Sequence, residues 1–124
     1  MIAFWISFLL TLGLLVGAVW TGAKGMRRAH FWLAPAGLVA LAVTIVLTEK
    51  LLRAVEFPKE EMRIHLWFAK SGAALVVPVV VTGLLNVRRP GFRKIHAISV
   101  GLFFLVALIA TGTGIWVFTL ATPR

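Results

Sequence analysis

Long apolar runs alternate with short charged breaks along the whole chain. Four runs, at residues 2–21, 30–48, 65–87 and 96–121, carry one charge between them, Lys70. None shows strict alternation of apolar and polar positions, and each approaches the ~20 residues that cross a hydrocarbon core. Lipid offers backbone polar groups no water, so spans without that alternation are helices. The pattern predicts an all-α membrane protein, a four transmembrane helix bundle forming a single transmembrane domain over 1–124. Trp5, Trp20, Trp32, Trp67 and Trp116 fall near run ends, where an amphipathic ring prefers to sit. Pro35 and Pro78 fall inside runs, which membrane helices tolerate. Gly13 and Gly17 make a small GxxxG face on the first helix.

Composition sharpens this picture. With 60% hydrophobic and 14% charged residues in 124, water is excluded as the solvent. Four spans nearly exhaust the length. The first run lacks a basic segment before it, so it reads as a retained helix rather than a cleaved leader. There is no cysteine, which removes disulfides, thiolate metal sites and thiol catalysis. The net charge of +9 reads as basic loops against anionic headgroups, with no nucleic acid as partner.

Loop one carries Lys24, Arg27 and Arg28; loop three carries Arg88, Arg89, Arg93 and Lys94. All four acids, Glu49, Glu56, Glu60 and Glu61, lie between spans two and three. The positive-inside rule then puts loops one and three in the cytoplasm and both termini outside a cell inner membrane. The middle segment is too long for a tight turn; it continues helix two, breaks near Pro58 and returns to His65.

One internal repeat emerges. Gly17, Gly25, Arg27, Arg28 and His30 match Gly83, Gly91, Arg93, Lys94 and His96 at a constant offset of 66. It describes two parallel helical-hairpin repeats about an axis along the membrane normal. His30 and His96 then share one depth at the cytoplasmic end, the requirement for bis-histidine ligation of haem b or for copper. Arg27 and Arg93, each three residues before its histidine, suit anionic propionates. At this offset His65 has no mate, since its partner would precede Met1. It reads as an interface residue, or as a further metal ligand, or as part of a quinone- or proton-binding cluster with Lys70, Glu60 and Glu61. Lys70 alone is explained by snorkelling. No phosphate loop, intramembrane carboxylate pair or nucleophile motif is present, which argues against a hydrolase or a primary pump. A secondary transporter would need more helices, unless as a small oligomeric exporter.

Several segments carry a family resemblance: His65-Leu66-Trp67-Phe68-Ala69, Val77-Pro78-Val79-Val80-Val81-Thr82, Phe92-Arg93-Lys94-Ile95-His96, and Thr111-Gly112-Thr113-Gly114-Ile115-Trp116. With Lys24-Gly25-Met26-Arg27-Arg28-Ala29-His30, they resemble a small four-span bacterial membrane family of unknown function associated with cytochrome oxidase biogenesis. That family has a further histidine near the end of helix two, where Thr48, Glu49 and Lys50 stand here. The order is also similar to small b-type membrane cytochromes, whose paired histidines hold haem. These resemblances imply membrane redox biology, with respiratory complex or oxidase subunits, or a second copy of the chain, as partners. The expectation is electron transfer or respiratory oxidase assembly, with haem b, or copper as the alternative, on His30 and His96. The rival is a cofactor-free interaction subunit packed through glycine-containing helix faces.

Overall fold

A computed structural model describes every residue, Met1–Arg124. The chain is all-α, with four long helices: α1 (Ile2–Ala23), α2 (Arg27–Leu52), α3 (Lys59–Arg88) and α4 (Arg93–Thr119). All four are long and apolar enough to cross a membrane, which makes this a multi-pass membrane protein. A 3₁₀ turn (Pro90–Phe92) precedes α4, and two-residue strands β1 (Val55–Glu56) and β2 (Thr122–Pro123) pair with each other. The helices divide into two compact units, a hairpin of α1 with α2 and a hairpin of α3 with α4.

Three of the helices outrun the apolar runs, because hydropathy marks the lipid-crossing part and local stop signals set the ends. α2 starts at Arg27 rather than 30 and runs to Leu52 rather than 48. α3 starts at Lys59, one residue after Pro58, and its first turn carries Glu60 and Glu61, favourable at the positive end of the helix dipole. α4 is shorter at its end than the run, stopping at Thr119.

A tight turn joins the first hairpin. The Met26 N–H reaches back to the Thr21 carbonyl at 2.8 Å, and the Gly25 N–H to Gly22 at 3.2 Å. Gly25 has φ +72°, the only residue of the chain with positive φ. This is a Schellman termination, and the left-handed position suits glycine. Gly25→Ala is expected to cost about 1 kcal/mol. Denaturation in mixed detergent micelles should show it, with Gly91→Ala nearly silent because its added Cβ meets open space.

The packing is inside-out relative to a water-soluble protein. The buried side chains include Thr11, Thr21, Thr44, Thr82 and Ser99, while Ile2 and Trp32 are each 78% exposed. Hydroxyls and glycines thus form the helix contacts and large apolar groups face outward, as expected where lipid is the solvent. In the first hairpin Thr44 Oγ1 of α2 meets Ser7 Oγ at 2.7 Å and Thr11 Oγ1 at 2.9 Å on α1. Gly37 admits Leu15, and Gly17 admits Leu33. Gly13 has open space around it, so within this hairpin only Gly17 of the GxxxG pair meets the facing helix. In the second hairpin Gly72 packs by Val106, and Phe103 and Val117 are buried.

Candidate functional site

Within the four apolar runs, the three histidines and Lys70 are the only titratable side chains, and the three histidines are seated alike. His30 lies at the start of α2, where its ring meets Gly22 of α1; a Cβ at Gly22 would sit 3.1 Å from Nδ1. His96 lies at the start of α4 and meets Gly83 of α3, where a Cβ would sit 3.0 Å from Cε1. His65, near the start of α3, meets Gly114 of α4 with the same 3.0 Å spacing to Cε1. Each imidazole occupies the space that a missing Cβ leaves on the facing helix. Each seat glycine follows a threonine: Thr21, Thr82 and Thr113.

The oxygens of the facing helices fix the ring chemistry. Thr82 Oγ1 donates to the Pro78 carbonyl at 2.6 Å, and Thr113 Oγ1 to Ile109 at 2.9 Å. With its hydrogen spent, each hydroxyl oxygen accepts from the nearby ring. His96 Nδ1–H donates to Thr82 at 3.1 Å, and His65 Nδ1–H to Thr113 at 3.2 Å. His65 also reaches the Ala110 backbone, three residues before Thr113. His30 Nδ1 lies 2.8 Å from the Ala18 carbonyl, again three residues before its threonine. A carbonyl only accepts, so Nδ1 carries the hydrogen. In the neutral form all three rings therefore place their basic lone pair on Nε2. All three rings are half-buried.

These seats correct the repeat. Thr21-Gly22 on α1 corresponds to Thr82-Gly83 on α3, so the first helices are related by an offset of 61. His30 and His96 on the second helices keep 66. The mate of Gly83 is Gly22, not Gly17. The five extra residues lie in the second connection, where α3 runs on to Arg88 and a 3₁₀ turn follows. At offset 61 His65 does have a counterpart inside the chain, Phe4. The end of the first hairpin away from its turn carries the Ser7, Thr11 and Thr44 hydroxyls in place of a histidine seat.

Arg27 and Arg93 are the first helical residues of α2 and α4, so each shares a helix with the histidine three positions on. The proposed outer cluster comes apart. Glu60 pairs with Arg63 at 2.6 Å, and Lys70, five residues past His65, turns to a different side of α3. Only Glu61, one turn before His65, keeps to its face. No three His, Asp or Glu side chains gather as a group able to hold a metal ion.

Sequence reasoning found the histidines but missed their seats, although the signal was present: Thr-Gly recurs at 21–22, 82–83, 111–112 and 113–114. Three of the four dipeptides hold a ring, while Gly112 faces open space. Comparison with protein-family models, curated proteins and solved structures finds no match.

Proposed function

We propose that this is a redox-associated membrane protein that binds haem b through Nε2 of His30 and His96, in electron transfer or respiratory oxidase assembly. One observation carries the reading: in all three seats Nδ1 faces an oxygen on the neighbouring helix. A ligating imidazole needs its other ring N–H held by a carbonyl or hydroxyl, which fixes orientation and raises basicity. His30 and His96 have that support from Ala18 and Thr82. The donor chemistry of the two imidazoles suits haem b, with copper as the alternative. Arg27 and Arg93 supply cations for propionate groups. Bound haem would supply one-electron chemistry; the chain's part is to hold both rings in one tautomer and keep their surroundings apolar. His65 has the same donor chemistry and is the third candidate ligand. In this reading the basic connections face the cytoplasm and both termini lie outside the cell's inner membrane.

The test is the optical spectrum of protein purified in mild detergent from haem-replete cells. A reduced-minus-oxidised haem b band is expected, lost in both His30→Ala and His96→Ala and retained in His65→Ala. Colourless wild-type protein would overturn the proposal.

A second reading is favoured by the same seats. Hydrogen-bonded histidines also staple membrane helices without any cofactor. The chain would then be an interaction subunit that packs its exposed apolar faces against a larger complex. Colourless protein that co-migrates with respiratory subunits would support it.

A further inference from the structure

Where the second hairpin turns, it ends in four cations within seven residues: Arg88, Arg89, Arg93 and Lys94. No carboxylate answers them. The sole ion pair of the chain is Glu60 with Arg63. The acids of this unit, Glu56, Glu60 and Glu61, precede or open α3, while Arg88 closes it. At 1.5 Å per residue that is about 40 Å of helix, several Debye lengths at physiological salt. The counter-anion for this end must come from outside the hairpin.

The surface beneath those cations is apolar. Val81, Leu84, Leu85 and Val87 line a shallow groove of about 460 Å³ that Arg88 closes at its polar end. Val81, Leu84, Leu85 and Arg88 fall at i, i+3, i+4 and i+7, one continuous stripe of α3. The apolar members face outward, with Leu84 64% exposed. A hydrocarbon wall under a guanidinium has the polarity of a phospholipid, with acyl chain below and phosphate above. Guanidinium binds phosphate oxygens through paired N–H groups. Basic residues at a membrane surface each contribute about 1 kcal/mol toward anionic lipid.

We propose that this groove is a binding site for an anionic phospholipid, with its acyl chain on Val81, Leu84 and Leu85 and its phosphate on Arg88 and Arg89. The five-residue extension of the second connection creates the site: it lifts Arg88 and Arg89 past the level of the His96 seat. The proposal is independent of any cofactor.

Native mass spectrometry of the full chain released from bilayer discs of equal phosphatidylglycerol and phosphatidylcholine tests it. Wild type should retain phosphatidylglycerol at least fivefold over phosphatidylcholine. Arg88→Gln with Arg89→Gln should remove that preference, and Leu84→Gln should lower total lipid retained. These exposed positions leave the histidine seats intact, which circular dichroism of each variant checks. Soluble glycerol phosphate at millimolar concentration should not displace the lipid. Equal retention of the two lipids by wild type, unchanged preference in the arginine variant, or displacement by glycerol phosphate would each overturn the assignment.

Discussion

Replacing Gly83 by valine should unseat His96 and open the second hairpin. A Cβ there would already stand 3.0 Å from Cε1 and 3.4 Å from Nδ1, and valine adds two methyl groups beyond it. The ring cannot recede without leaving Thr82, so the Nδ1–H bond to the hydroxyl is lost with the packing. Overpacking of this kind costs about 1–3 kcal/mol, and an interhelical bond in lipid adds about 0.6. Gly101→Val on α4 is the matched control, since an added Cβ meets nothing within 4 Å. Denaturant titration in micelles should show a large shift for the first and almost none for the second. Nitrogen chemical shifts of His96 should also lose the single-tautomer signature in the Gly83 variant. Equal stability of the two variants would mean that the seat is not close-packed.

Thr44→Val should have the next largest effect, in the first hairpin. Thr44 is buried and is the only α2 partner of both Ser7 and Thr11. Valine keeps the shape and removes the hydroxyl, so both interhelical bonds go while the packing stays. At about 0.6 kcal/mol each, the expected loss is about 1 kcal/mol. Thr11 retains its bond to the Ser7 carbonyl, which limits the loss. Thr48→Val, whose hydroxyl bonds only within its own helix, should change stability little. The same micelle titration compares the pair. A Thr44 variant as stable as wild type would show that the hydroxyl cluster satisfies itself without holding the helices.

The spans were legible because lipid imposes a simple rule on composition: continuous apolar runs, interfacial tryptophans and charged breaks. Helix ends were less so. Arg27 and Lys59 begin helices outside the runs because capping and dipole effects, not hydropathy, set those points. His30 and His96 stood out as polar groups at the mouths of equivalent helices. Their seats did not, because a Thr-Gly dipeptide in an apolar run looks like ordinary small-residue filler. The unequal connections also disguised the repeat. A search at one constant offset aligned the second helices correctly and the first helices five residues out. That error matched Gly83 to Gly17 and hid Phe4 as the counterpart of His65. The Nδ1 tautomer lay beyond sequence altogether, since it depends on which facing atom is a pure acceptor.

Seventeen residues separate His65 from Thr82 on α3, and seventeen separate His96 from Thr113 on α4. The two seats of this hairpin are therefore about 26 Å apart along both helices. Sliding one helix past the other by a single 5.4 Å turn would break both seats together, so the hairpin has one allowed register. The first hairpin has a single such seat. In a thinner bilayer, α3 and α4 must therefore lean as one strut rather than shear to shorten. The second hairpin thus acts as a gauge of fixed length.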